Sequence, residues 1–395
     1  MTQPQDAYRH FCTQRQAVGQ LRQLQPVEPL PHGRVRRDGQ ELINFSSNDY
    51  AGLADHPLLV ERARAWTQQY GTGSRASRLV CGDFVGFGGV EAKLARGKGC
   101  EAALVFNAGF QANSAILPAL LDSRVLGQKP LVFSDRLNHA SMHHGCLAAG
   151  VKQQRFRHND LDHLEELLKQ HAGGEAPCFI LSETVFSMDG DRADVAGLIE
   201  LKARYNAFLY LDEAHATGIL GRDGFGLSAD HPGQVDLVMG TFSKALGSFG
   251  AYATGSRSLM DYLINRASGF IYSTALPPAV VGAMDAALEL LPTMAEARQR
   301  VLAGAEQIRQ AFHDAGLDTG DSSTPIIPVM MGDESTALAL SQRLLEAGML
   351  AIAIRPPTVP QGTSRLRVSL SAAHGDEDWQ QLASDLPAMV QELRS

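Results

Sequence analysis

The chain has little sulfur chemistry to offer. Its five cysteines, Cys12, Cys81, Cys100, Cys146 and Cys178, are odd in number and scattered, and none forms a CxxC pair. This excludes a disulfide framework and a cysteine zinc site, and it fits a reducing compartment. Long hydrophobic runs are also missing. The best candidate for a membrane span, Ala102 to Leu121, is uncharged but carries Asn107, Gly109, Gln111, Asn113, Ser114 and Pro118, too polar for lipid. The first thirty residues have no apolar signal-peptide core. Arg9, Arg15 and Arg22 on a predicted helix resemble a transit peptide only superficially, because Asp6 and several Gln interrupt them. A cytoplasmic protein with no membrane partner is expected. Basic stripes are absent too: 35 Lys+Arg face 43 Asp+Glu, a net charge of −8, so nucleic acid is excluded as a partner. Aromatic residues are sparse at 7%, which predicts an aliphatic core.

Several familiar strings fail on context. Asp212-Glu213-Ala214-His215 spells a helicase-like box, but no GxxxxGK[ST] loop accompanies it, since Gly97-Lys98 is followed by Gly99. Gly71-Thr72-Gly73-Ser74-Arg75-Ala76 matches a loose dinucleotide fingerprint but follows a predicted helix instead of a strand. No GxSxG elbow occurs. His139, His143 and His144 lack HExxH or a carboxylate in register, so no metal site is expected.

What is present is an alternation. A helix is predicted from about Asp6 to Leu24, ended by Pro26, Pro29 and Pro31, and an Asp-Gly turn joins strand-like arms across Val35–Ile43. A helix runs from Pro57 to Tyr70, stopped by Gly71. Apolar runs at Ala103–Phe106, Leu131–Phe133, Phe179–Leu181, Phe208–Leu211, Leu237–Met239 and Gly250–Thr254 alternate with helical patterns such as Asp160–Gln170 and Val195–Tyr205. This reads as α/β, a mainly parallel sheet covered by helices. After Pro277-Pro278 a long helix leads into strands at Ile326–Met330, Ala351–Ile354 and Leu366–Ser369 with helices at Glu334–Ala347 and Asp376–Leu393, a small α+β unit. The expected organisation is an N-terminal helix and hairpin segment (1–45), a large α/β domain (46–288) and a small C-terminal α+β domain (289–395).

Chemistry concentrates between Leu209 and Gly250. The buried-strand run Leu209-Tyr210-Leu211 ends in Asp212, where open α/β sheets bind ligands. Taken alone, Asp212 also reads as a turn cap and His215 as a core histidine. Lys244 follows the strand Asp236–Met239 within a loop of small residues, Thr241, Ser243, Gly247, Ser248 and Gly250. Such crowding lowers a lysine's pKa, as a Schiff base requires. An aspartate for a pyridine nitrogen and a lysine for an aldehyde together point to pyridoxal 5'-phosphate.

Six motifs in order, NFSSNDYAGL (Asn44–Leu53), FNAGFQAN (Phe106–Asn113), DRLNHAS (Asp135–Ser141), ETVFSMDGD (Glu183–Asp191), LDEAHATG (Leu211–Gly218) and TFSKALG (Thr241–Gly247), resemble the α-oxoamine synthases among the fold-type I pyridoxal phosphate transferases. Two details differ from the family pattern. Arg75 lies in the Gly71–Asp83 loop, and Ser243 replaces a common glycine. The resemblance implies pyridoxal phosphate held as an aldimine on Lys244, which then serves as general base. It implies Asp212 on the ring nitrogen, His215 on the ring hydroxyl, and His139 stacked on the ring and touching substrate. Gly109 and Phe110 would cradle the phosphate with Thr241, and Ser187 would sit beside the cofactor. Arg367 would bind the amino-acid carboxylate; Thr358 and Arg22 match substrate positions, with Arg355 a further candidate. The tail Ala353–His374 most resembles members that join L-alanine to a pimeloyl thioester, carried by coenzyme A or an acyl-carrier protein. Glycine- or serine-using members are the alternative within the family, and a non-catalytic binding module the alternative outside it. A homodimer is implied as well, with Ser273 and Thr274 reaching a neighbour's phosphate.

Overall fold

The computed structural model describes residues 3–17, 20–171 and 174–394. Seven strands form its large sheet: β1 (Ala102–Phe106), β2 (Leu131–Asp135), β3 (Gln153–Phe156), β4 (Cys178–Glu183), β5 (Phe208–Asp212), β6 (Leu237–Thr241) and β7 (Ala251–Gly255). Their order across the sheet is β1-β7-β6-β5-β4-β2-β3. The pairs among β2 to β6 are all parallel, whereas β7 runs antiparallel to both β1 and β6. The predicted strand at Gly250–Thr254 is therefore present but reversed, because it returns from β6 through the short Lys244 loop without a crossover helix.

Strand residues alternate between faces even where the run is wholly apolar. Leu104 and Phe106 enter one core cluster and Ala103 and Val105 another; Phe179 and Leu181 likewise separate from Ile180. Helices Gly109–Leu120, Ala140–Ala148 and Arg257–Arg266 supply buried residues to the first of these clusters. Leu161–Lys169 and Val195–Arg204 cover the strands toward the opposite edge. Asp160 and Asp194 start those two helices by accepting from the backbone N–H groups of His163 and Gly197.

The N-terminal helix ends at Ala17, short of the predicted Leu24; residues 18 and 19 lie outside the described residues, and 20–27 have no regular structure. The long helix Ala295–Asp314 packs with Glu334–Glu346 and Asp376–Arg394 around a three-stranded antiparallel sheet, in the order Ile326–Gly332, Ser364–Ser369, Ile352–Ile354. The hairpin of Arg34–Arg37 and Gln40–Asn44 joins this unit: Ile43 and Asn44 pair in parallel with Met349 and Leu350, and Ile43 and Phe45 enter its core. No helix among the described residues is long and apolar enough to cross a membrane.

His374 seals that junction. It is 2% exposed, its Nε2 faces the Asn44 carbonyl at 3.2 Å and its Nδ1 accepts from the Ser371 backbone at 3.2 Å. Burial, which the Asp378 charge only partly offsets, lowers its pKa to about 4. The unfolded chain, with an ordinary histidine, binds this proton first. His374 therefore contributes fully above about pH 6.5, and its contribution is lost as pH falls toward 4, by up to about 3 kcal/mol. Urea midpoints measured between pH 7 and pH 4.5 should fall less steeply in His374→Gln than in the parent chain.

Candidate active site

Two acidic side chains end neighbouring parallel strands, Glu183 on β4 and Asp212 on β5, set side by side by the strand register. Both are buried, at 2% and 3% exposure. Asp212 accepts from Asn113 Nδ2 and from the Ala214 backbone N–H, each at 2.9 Å. Asn113 also donates to Ser141 Oγ at 2.8 Å, and Ser141 Oγ lies 2.7 Å from His139 Nδ1. The His139 backbone N–H donates to Glu183 Oε1, so the network returns to the second carboxyl. Burial, reinforced by the Asp212 charge, pushes Glu183 well above the usual carboxylate range and favours its neutral acid.

Lys244 and His215 share a cavity of about 240 Å³ with Gly109, Phe110, Asn113, His139, Glu183, Asp212 and Thr241. Burial lowers the Lys244 pKa; Asp212 and Glu183 work against that shift, and Arg367 adds to it. Burial likewise holds His215 well below an ordinary histidine, with Lys244, Arg367 and His139 contributing. His215 Nδ1 lies 2.8 Å from the Tyr50 hydroxyl, which donates to Asn48 Oδ1 at 3.0 Å and accepts from Arg367 Nη2 at 3.1 Å. Arg367 Nη2 also donates to Asn48 Oδ1 at 3.1 Å, so Asn48, Tyr50, His215 and Arg367 form one connected network.

A second cavity, of about 600 Å³, shares His139, His215 and Lys244 with the first and adds Arg22, Ser187, Thr358 and Arg367. Arg367 is 7% exposed and donates to the Ser187 carbonyl (2.7 Å), Ser369 Oγ (2.8 Å), Asn48 Oδ1 (3.1 Å) and Tyr50. None of these partners is a carboxylate. Arg22 Nη2 donates to Thr358 Oγ1 at 3.0 Å.

Gly109 opens its helix behind Ala108, which gives no side-chain cap, and a Cβ on Gly109 would meet open space. Thr241 Oγ1 lies 2.7 Å from Ser243 Oγ and donates to the Gly250 carbonyl at 2.7 Å. Ser273 accepts from Gln111, and the Thr274 carbonyl from Asn107, on the segment that enters that helix. Arg75 is exposed at φ +68°, donates to the Tyr70 carbonyl and lines neither cavity. The structure thus brings together Lys244, Asp212, His215, His139, Gly109, Phe110 and Thr241, and sets Arg22, Ser187, Thr358 and Arg367 on the adjoining space. Glu183, Tyr50 and Asn113 were not singled out from sequence, although all three lie inside quoted motifs. No group of three or more His, Cys, Asp or Glu is placed to hold a metal among the described residues.

A family model described as aminotransferase class I and II matches residues 40–386. The chain belongs to this family. A protein of Magnetococcus marinus, provisionally named 8-amino-7-oxononanoate synthase, is 72% identical over 393 residues, all of both chains. An 8-amino-7-oxononanoate synthase of Gluconacetobacter diazotrophicus is 56% identical over 373 residues, 94% of each. A serine palmitoyltransferase from S. paucimobilis, solved as a single-substitution variant with a bound PLP-myriocin aldimine, superposes with a TM-score of 0.90 at 26% identity over 98% of both chains. The chain is an enzyme of the α-oxoamine synthase branch with the fold-type I transferase architecture expected from its motifs.

Glu213, next to Asp212, is 0% exposed and pairs with buried Lys98; it also accepts from the Ser228 backbone (2.7 Å) and hydroxyl (2.8 Å). Lys98→Met leaves that carboxylate without its cation and should cost about 3–5 kcal/mol in urea unfolding, whereas adding Glu213→Leu should recover part of the loss.

Proposed function

We propose that this enzyme binds pyridoxal 5'-phosphate on Lys244 and catalyses decarboxylative condensation of L-alanine with a pimeloyl thioester, of coenzyme A or an acyl-carrier protein. The products are 8-amino-7-oxononanoate, carbon dioxide and the free thiol. The observation that carries this reading is the convergence of Lys244, with its lowered pKa, on buried Asp212, beside an arginine that has no carboxylate partner. The named relatives support the choice of product.

The residues fit the cofactor. Asp212, held by Asn113 and Ala214, supplies a buried carboxylate for the ring nitrogen. His215 lines the same cavity and would bond the ring hydroxyl. The uncapped helix start at Gly109-Phe110, with Thr241, supplies donors for a phosphate. When bound, the cofactor supplies an electron sink for charge developing at the amino-acid Cα.

The side chains then divide the work. Arg367 would grip the alanine carboxylate, because its four present partners are neutral and it carries an uncompensated charge. Lys244, freed by the incoming amine, would take the Cα proton, a task for which burial has lowered its pKa. His139 would lie against the ring from the cavity mouth and meet the thioester. Carbon–carbon bond formation expels the thiol, and loss of the original carboxylate as carbon dioxide leaves a carbanion that one proton quenches. The acyl chain would occupy the larger cavity beside Ile352, Ile354 and Pro357, with Arg22 and Thr358 at its polar end.

We also propose a homodimer. Leu79, Val80 and Tyr272 are 52%, 77% and 84% exposed, and Arg78 over the Phe270 ring ties their two segments together. Light scattering should give twice the chain mass.

Purified protein should show a visible cofactor band that changes with L-alanine at lower concentration than with glycine or L-serine. A preference for glycine or serine would keep the family and overturn the substrate. Lys244→Ala should lose turnover by about a thousandfold or more, and retained turnover would remove its role.

A further inference from the structure

Away from both cavities, His158 lies between two carboxylates that belong to different loops. Its Nδ1 faces Asp135 Oδ1 and Oδ2 at 3.1 and 3.2 Å, and its Nε2 faces Asp191 Oδ2 at 2.8 Å. Asp135 is the last residue of β2, four residues before His139. Its remaining bonds run to the backbone N–H groups of Leu137 (2.8 Å) and Asn159 (2.9 Å). Asp191 closes the 185–192 hairpin, whose backbone bridge joins Val185 and Arg192 and whose tip carries Ser187 and Met188 into the larger cavity. Asn159, at φ +50°, continues the brace by donating to Asp191 Oδ2 (2.5 Å) and to the Arg192 carbonyl (3.2 Å). The His158 ring is fixed edge-on against Phe186 of the same hairpin, with centroids 4.4 Å apart. That hairpin also receives the Arg367 guanidinium on the Ser187 carbonyl and the Arg365 guanidinium on Asp189.

We propose that His158 is a positioning residue: donating from both ring nitrogens, it sets the distance between the loop that ends in His139 and the hairpin on which Arg367 rests. Both neighbours of the ring are acceptors, so only the doubly protonated form satisfies them. Burial opposes that form, but the hydrogen bonds to Asp135 and Asp191 override it and raise the His158 pKa to about 10. No other side chain among the described residues spans the two aspartates. The proposal deepens the reading of the site above and rests on it, because the loops matter only if His139 and Arg367 meet the same substrate.

The consequence is specific. His158→Gln keeps one donor and loses the other, loosening the brace between the hairpin and the His139 loop, with Asn159 as its remaining link, while leaving Lys244, Asp212 and His215 untouched. In the cofactor-loaded enzyme the resting visible band and the cofactor content should match the parent. The L-alanine concentration that half-saturates the spectral change should rise about tenfold, with a comparable rise in the KM for alanine and a smaller fall in kcat. Asp191→Asn keeps an acceptor for Nε2 but removes one charge, and should give the same pattern at reduced size. A scaffold role alone would lower cofactor content or thermal midpoint and leave the alanine response of the loaded fraction unchanged; that result overturns the proposal, as does a parent-like KM in both variants. If the parent itself fails to respond to L-alanine, the functional reading has failed instead, and the two failures are thereby told apart.

Discussion

The site depends on one constraint, that of placing charge at the carboxyl ends of parallel strands. Adjacent parallel strands end on the same side, so β4 and β5 deliver Glu183 and Asp212 as neighbours. Two anions cannot share that low-dielectric edge without compensation. The structure answers in three ways. Glu183 is pushed toward its neutral form, Asp212 is held by two N–H donors, and Lys244 is brought in from the end of β6. The same burial that raises the Glu183 pKa lowers that of Lys244, so one environment holds a buried carboxylate and an amine that gives up its proton more readily.

The second layer is mechanical. Side chains that line the two cavities come from separated stretches: Asn48 near the N-terminus, the segments after β1, β2, β4, β5 and β6, and Arg367 on a strand of the small C-terminal sheet. Tyr50 links the outer two, touching both His215 and Arg367. One buried phenol thus connects the His215 ring to the Arg367 guanidinium.

Much of this was legible from sequence because it rests on local patterns. Strands buried on both faces leave apolar runs of three to five residues, and acids or lysines shortly after them fall at the ligand-binding edge. What escaped was non-local or one-sided. β3, Gln153-Gln154-Arg155-Phe156, is an edge strand with a single buried residue and leaves no apolar run. The reversed direction of β7 has no signature in Ala251-Tyr252-Ala253-Thr254-Gly255. The helix Gly86–Lys98 begins with Gly-Phe-Gly-Gly, a poor helix opening that tertiary packing of Phe87, Val90 and Leu94 overrides. Glu183 carried a signal close to that of Asp212, an acid one residue past the run Phe179-Ile180-Leu181. The resemblance supplied a role for one and not for the other.

His215 shows why motif and mechanism are different claims. The Asp-Glu-Ala-His string alone also spells a phosphate-cleaving box, which the missing GxxxxGK[ST] loop rules out. The Tyr50 hydroxyl, 165 positions upstream, meets His215 Nδ1, and Arg367, 152 positions downstream, donates to the same hydroxyl. The string specifies which atoms are available; the long-range hydrogen bonds specify what they can do.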